Sequence, residues 1–506
     1  MRKFEALFTV AYCFIATLMS SCLLSCSGSR QAVIANKQYA PDQLRKDFLL
    51  FRHALEESHP GLYWFTPKME MDRDFDEAYS SLTDSLTERE FRTLLTKVVA
   101  DIRCGHTSVS YSRRYSRYLD TAKARLFPLS FKIWEDTLAV TGNFNPDDSL
   151  LTRGTVVRSI NETPAKILID SFLQYTTGDG YSRAGRYQSL SSFGNFGLLY
   201  KNVIGLPDSF RISYLDYSGN TRNTVVPVFI YGNDSTDRSD SIAQEKYTPR
   251  ERRNLYAFST RNLQVDTLLG SAFMTLNTFT RGNNLRKFFR NSFKSIDRLQ
   301  LKHLVVDVRS NGGGDAGLST MLTQYIADHR FRIADSLYAN KRSTRYRRHV
   351  RFQPIYWLMT TIVTRKRNDG KFHFGYFERH YFRPRKKFHF DGNVYILTGG
   401  NSFSATTLFA QELKGQSNVK IVGEETGGGG YGNSAWMIPE LKLKYTKLRI
   451  GIPKFRMVMR KELVAEGRGV MPDLYAAPNI EDIRRGRDVK IEAVKQLIIE
   501  KNKISK

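Results

Sequence analysis

With 506 residues, 41% of them apolar and 25% charged, the chain can bury two or three cores, and its composition excludes disorder on a large scale. Its net charge of +27 would suit nucleic acid or an anionic surface, but no nucleic-acid motif accompanies it. Of four cysteines, Cys13, Cys22 and Cys26 lie in the first 26 residues, which leaves Cys104 alone and excludes an internal disulfide or a cysteine-rich metal cluster.

In chain order, Arg2 and Lys3 precede an apolar run from Ala6 to Leu24, the pattern of an export signal. Leu23-Leu24-Ser25-Cys26 resembles a bacterial lipoprotein box, with Cys22 as a weaker competitor. This predicts a signal over 1–25, lipidation of Cys26, and a domain held at the cell envelope by acyl chains, facing the periplasm or the cell surface.

A linker over 26–40 leads to a helical subdomain over 41–115. Leu44, Phe48, Phe51 and Leu55 recur at spacings of three and four, Pro60-Gly61 breaks the run, and Phe91, Leu94, Leu95 and Val98 form a second apolar stripe. Thr87 and Glu90 make a capping box before it. Residues 116–268 read as short strands between turns. Within them GTVVRSINETP resembles part of a PDZ-like module, a small β-rich domain of unspecified type being the plainer reading; the polar stretch from Thr176 to Asn195 interrupts it.

From 269 to 480 strands alternate with helices: SAFMTLNTF, HLVVDV, NVYILTG and VKIVGEETGG against LRKFFRNSFKSIDRL, LSTMLTQYIADH and ATTLFAQELK. Such alternation predicts an α/β layer with largely parallel strands and chemistry at their carboxyl ends. A basic insertion over about 335–390 interrupts it; residues 341–390 hold 15 Lys/Arg against 2 Asp/Glu, interleaved with aromatics. A basic surface beside anionic lipid or a solvated insertion is the reading there. A basic helix over 481–506 closes the chain.

Four segments could carry chemistry. DVRSNGGGD has three consecutive glycines after a buried strand, the makings of an oxyanion hole or of a plain turn. TGGNSFSATTLF places Ser402, Ser404 and Thr406 at the start of a helix, as nucleophile or as cap. DIRCGHTSVSY offers His106 just beyond a helix, and AEGRGVMPDL offers Glu466 before a glycine-rich turn.

Taken in order, VVDVRSNGGGD, SFSATTLFAQEL, IVGEETGG and GRGVMPDL resemble the tail-specific, or C-terminal processing, serine peptidase family over about residues 42–478. The resemblance implies a ClpP/crotonase-like core, no cofactor or metal, and a polypeptide substrate. It places the nucleophile at Ser404 and the oxyanion donors at Ala405 and Gly312 or Gly313. Where many members carry a dyad lysine, this sequence has Gly429, so it looks closer to the tricorn-like branch, with His106 as base and Glu466 orienting it. The serine that helps the histidine in that branch has no clear match here, Gly105 standing immediately before His106. A catalytically silent protein on the same scaffold, binding peptides or apolar ligands, is the alternative that the missing lysine raises.

Overall fold

The computed structural model describes residues 34–121, 125–192, 194–230, 247–464 and 466–504. The signal segment and Cys26 lie outside them. Helices α1 (Pro41–Ser58), α2 (Lys68–Ser80) and α3 (Glu88–Asp101) form the N-terminal subdomain. The predicted capping box holds: Thr87 Oγ1 accepts from the Glu90 N–H at 3.3 Å, and Glu90 accepts from the Thr87 N–H at 2.8 Å. The apolar stripes meet in one core around Phe48, Phe51, Phe75 and Phe91. Leu441 and Ile450, from the far end of the chain, complete that core. Buried Asp47 fixes the connection, accepting from the Tyr445 N–H (2.9 Å), the Thr446 N–H (2.8 Å) and the Thr446 hydroxyl (2.7 Å). Ser108–Ser110 then pairs antiparallel with Arg449–Gly451, so the stretch just after α3 is held by the C-terminal third of the chain.

The middle domain is an antiparallel sheet with spatial order Thr221–Pro227, Ser209–Leu215, Val156–Ile160, Thr137–Asn143, Leu129–Trp134. Helices Ala165–Leu173, Ala184–Ser191 and Asn195–Val203 pack on it through Phe172, Leu190 and Phe196. The polar stretch after Thr176 is therefore a loop followed by a helix. Gly185 on that helix touches the core, since a Cβ there would come within 2.8 Å of Gly427 Cα.

The α/β layer is a six-stranded sheet, in spatial order β1 (Arg261–Asp266), β2 (Ser271–Leu276), β3 (His303–Asp307), β4 (Asn393–Thr398), β5 (Val419–Gly423) and β6 (Leu474–Tyr475). Only β1 runs antiparallel to its neighbour. Alternate residues face opposite sides, as strand geometry requires. Leu304, Val306, Val394 and Ile396 pack under α4 (Leu285–Arg298), α5 (Ala316–Thr323) and α6 (Ala405–Leu413). Val305, Tyr395 and Leu397 meet Val494 and Ile498 of α7 (Val489–Ile504). From α7, the buried Lys490 ammonium donates to the Thr398 carbonyl at 3.0 Å and pairs with Glu424 at 2.7 Å, tying down the end of β4. The basic insertion begins as a strand, Ser336–Ala339, of a second, antiparallel sheet in which it pairs with Phe455–Val458.

Candidate active site

Beyond β4 the chain turns through Gly399 and Gly400 into the three candidate hydroxyls. Ser402 is fully buried; its hydroxyl donates to the Val308 carbonyl at 2.8 Å and accepts from the Gly399 N–H at 3.2 Å. Thr406 is also fully buried, as the second residue of α6. Ser404 alone is partly exposed. It precedes α6 with φ 55° and ψ −121°, a backbone state that costs a residue with a side chain about 1–3 kcal/mol and persists only where the surroundings impose it. They do so here: the Phe403 N–H donates to the Asn311 carbonyl at 3.1 Å, and the Ser404 carbonyl accepts from Thr407 (3.0 Å) and Leu408 (3.2 Å). The result is a hydroxyl lifted out of the turn at the positive end of a helix.

The triple-glycine loop faces it. Gly313 has φ 100°, and a Cβ on it would come within 2.8 Å of both the Phe403 carbonyl and Ser404 Cβ. Glycine is required there by conformation and by space. The Gly313 N–H is taken up by Asn311 Oδ1 at 2.9 Å. Gly312 is exposed at the lip, and Ala405, as the first residue of α6, has an N–H that the helix itself leaves unpaired.

The opposite wall comes from the N-terminal subdomain. The His106 ring lies against Phe403, the residue before Ser404, with ring centroids 4.7 Å apart. Its side chain is 10% exposed, and neither buried ring nitrogen has a hydrogen-bond partner. Burial lowers its pKa to about 4, so the imidazole is neutral at neutral pH. Nδ1 stands 3.9 Å from Oδ1 of Asp179, which is 2% exposed. Asp179 accepts from the Gly105 N–H at 2.8 Å and from the Gly429 N–H. Burial nevertheless raises its carboxyl to about 7. Next to His106, Thr107 is held by buried His59. The Gly61 N–H donates to His59 Nδ1 at 3.1 Å, which leaves Nε2 to carry the proton and donate to Thr107 Oγ1 at 2.8 Å.

Glu466 is exposed, its charge felt by Arg468, and among the described residues no hydrogen bond or ion pair joins it to His106. The turn after it is fixed instead by Glu425, which takes Arg468 at 2.9 and 2.8 Å and the Gly469 N–H at 2.8 Å. The Tyr181 N–H donates to the Gly467 carbonyl at 2.7 Å, so this turn is tied to the Asp179 loop. Gly429 bridges to Gly469 and supplies an N–H where the dyad branch has an ammonium.

Cys104, His106 and Asp179 are the one group among the described residues with ligand types and proximity for a metal, their atoms lying within 4.8 Å of one another. That spread is wider than a tetrahedral shell with bonds of about 2.0–2.3 Å allows, so the group would have to contract around an ion. Burial pushes the Cys104 thiol up to about 12, and it points at the Ser434 carbonyl at 3.4 Å.

A cleft of about 330 Å³ opens beside Phe403 and Gly105, the sequence neighbours of Ser404 and His106, neither of which lines it. Gly105, Gly178, Ser310, Gly312, Asn401 and Phe403 line it, with further glycines and no charged side chain. It offers backbone groups, the Thr177, Ser310 and Asn401 side chains and one aromatic ring, uncharged surroundings that suit an extended chain better than a charged small molecule. Asp179 and His59 were not among the residues singled out in the sequence. The only signal for Asp179 was the short GDG run inside an otherwise polar stretch, and His59 showed none beyond its place before Pro60-Gly61.

Residues 270–476 match the model of peptidase family S41. Among solved structures, mature CPAF is 13% identical with a TM-score of 0.62, the alignment covering 91% of this chain and 97% of that one. Mature CPAF complexed with lactacystin gives 13%, 0.60, 91% and 98%. The photosystem II D1 C-terminal processing protease gives 13% and 0.39, over 88% of this chain and 98% of that one. No curated protein sequence matches. At such identities the structures speak for the fold and the family match for the chemistry. The α/β layer with its glycine loop and elevated serine is thus a peptidase family S41 domain, and the chain that carries it is a serine-type peptidase.

Proposed function

We propose that the chain hydrolyses peptide bonds of exported polypeptides, with Ser404 as nucleophile and His106 as its base. The observation that carries this reading is the backbone of Ser404, forced to positive φ at the start of α6 and flanked by the Phe403 ring on which His106 lies. Ser404 Oγ attacks the scissile carbonyl carbon while its proton passes to an imidazole nitrogen. The oxyanion is held by the N–H groups of Ala405 and Gly312, each worth about 3 kcal/mol in the transition state. Gly313 shapes the hole, its own N–H being engaged by Asn311. When the C–N bond breaks, the imidazolium returns the proton to the departing amine, and water then releases the acyl group.

Two carboxylates compete to orient His106. Glu466 holds the position given by resemblance to the tricorn-like branch, and Asp179 lies 3.9 Å from Nδ1. Distance favours Asp179, with the Glu466 turn tied to the same loop through Tyr181 and Gly467. A lipid on Cys26 would hold the enzyme at the cell envelope.

The test is labelling of the purified protein by a fluorophosphonate. Wild type is expected to label, Ser404→Ala and His106→Ala to fail, and Asp179→Asn to slow labelling more than Glu466→Gln. Absence of labelling in folded wild type would leave the silent binding scaffold as the reading. Labelling that survives Ser404→Ala would move the nucleophile elsewhere.

A further inference from the structure

Helix Gln353–Val363, within the basic insertion, is inside out. Its buried residues are polar: Gln353, whose amide donates to Ser343 Oγ at 3.1 Å, and Thr360, followed after the helix by Thr364. Its apolar residues face outward. Ile355, Trp357, Leu358, Met359 and Ile362, with Phe352 just before them, are each 45–65% exposed. A surface helix of a water-soluble domain normally presents the opposite pattern, and a contiguous apolar face of this size marks a contact surface.

Cations flank this helix in the chain on both sides. Arg347 and Arg348 precede the helix and Arg365 and Lys366 follow it; all four are exposed, and among the described residues none forms an ion pair. The local carboxylates are already engaged, Glu57 by Lys341 and Arg345, and Glu378 by Arg367 and His373. Arg351 lies over the Phe352 ring at 4.4 Å, leaving its own charge at the edge of the apolar patch. An apolar centre with a cationic border complements a bilayer whose headgroups are anionic and whose interior is hydrocarbon. It does not complement a second copy of itself, because apposed faces would bring two such borders together. Eleven residues cannot span a bilayer, which takes about 20, and no helix among the described residues is long and apolar enough to do so.

We propose that helix Gln353–Val363 lies in the surface of an anionic bilayer, with Trp357, Leu358 and Ile362 in the acyl boundary and the flanking arginines and lysine on lipid phosphates. The surface is independent of the hydrolytic site and of any acyl chain on Cys26. It would fix the orientation of the domain on the membrane, which a flexible tether alone would not.

The test uses the full chain and vesicles of one part phosphatidylglycerol to two parts phosphatidylcholine, with brominated acyl chains that quench buried tryptophan. Trp357 is read as the difference between wild type and Trp357→Phe, so that the other tryptophans and the N-terminal segment cancel. Trp357 emission is expected to fall about twofold or more on anionic vesicles and to stay unchanged on phosphatidylcholine alone. The variant Ile355→Ser/Leu358→Ser/Ile362→Ser, altered only at exposed positions, should lose the quenching. Arg347→Glu/Arg348→Glu should raise the lipid concentration for half-quenching about tenfold. Unquenched Trp357 in a chain that has bound the vesicles would overturn the proposal. So would a triple-serine variant that halves the sedimenting mass of the protein in solution, since a second copy would then be what covers this face.

Discussion

The two walls of the cleft are built differently. On the side of the proposed nucleophile, Ser404, Phe403 and Gly313 are held by backbone hydrogen bonds among segments that all belong to the α/β layer, and Ser402 and Asn311 serve that purpose with their side chains. On the side of the proposed base, His106 is held by packing on one ring and by burial, with both nitrogens unpaired, and the strand just after it pairs with residues 449–451. One wall is set by short-range geometry and has little freedom. The other is a loosely satisfied polar cluster whose position depends on how three parts of the chain dock. Polar groups of that second kind carry the larger desolvation cost and gain most from a partner.

Breaking either wall at its reacting group should have the largest effect. Ser404→Ala and His106→Ala are each expected to cut kcat/KM by about 10⁴-fold or more, with the double variant little worse than either, because the two act as one unit. Equal and additive losses in a peptide-hydrolysis assay would show that they do not.

Gly313→Ala tests the rigid wall. The new Cβ would press on Ser404 Cβ and the Phe403 carbonyl at 2.8 Å, at a φ that favours glycine. A displacement of the nucleophile by a fraction of an ångström should cost about 100-fold in kcat, with KM less affected. The same change at Gly312, where no atom lies within 4 Å of the added carbon, should be far milder.

The base wall is distinguished by acid. His106 titrates near 4 in the folded chain, whereas the unfolded chain takes up that proton near 6.5. Between those values the unfolded state binds more protons, so stability falls as pH drops from 6.5 towards 4. At pH 5 the loss from this residue is about 2 kcal/mol, measurable as a flatter stability profile in His106→Gln by chemical denaturation. Activity is expected to fall first as the Asp179 carboxyl, raised to about 7, takes up its proton, whereas Asp179→Asn should keep only the acid limb of His106, well below that of an ordinary histidine. The smallest effect should come from Phe403→Leu, which removes the ring beneath His106. The ring pair is worth about 0.5–1.5 kcal/mol, so kcat should fall by about tenfold or less, without loss of fluorophosphonate labelling.

The same division explains what could be read in the sequence. The helical stripes, the Thr87 capping box and the alternation of the α/β layer rest on periodicity or local turn chemistry, whereas Ser404 was picked out by resemblance, its segment alone leaving three hydroxyls open. Asp47, Asp179 and His59 rest on contacts across the chain, the first linking residues nearly 400 apart, the second closing against Gly105 and Gly429. No spacing announces such contacts. The basic insertion was visible as aromatics among cations, but neither the helix Gln353–Val363 nor the side it turns outward could be read there. Glu466 was chosen by resemblance, and the neighbouring Arg468 is held by Glu425, a partner 43 residues away.

Gly429 bears on how this peptidase could change. A Cβ at that position would come within 2.4 Å of the Tyr431 ring and 2.8 Å of the Gly432 carbonyl. A lysine there would have to displace a buried tyrosine and would draw Gly429, a donor to Asp179, out of place. A lysine at 429 would therefore need further changes, beginning at Tyr431, a buried ring packed against Trp64 and Phe65. On the proposed assignment of His106 as base, an aromatic residue with no part in that scheme bars the alternative base.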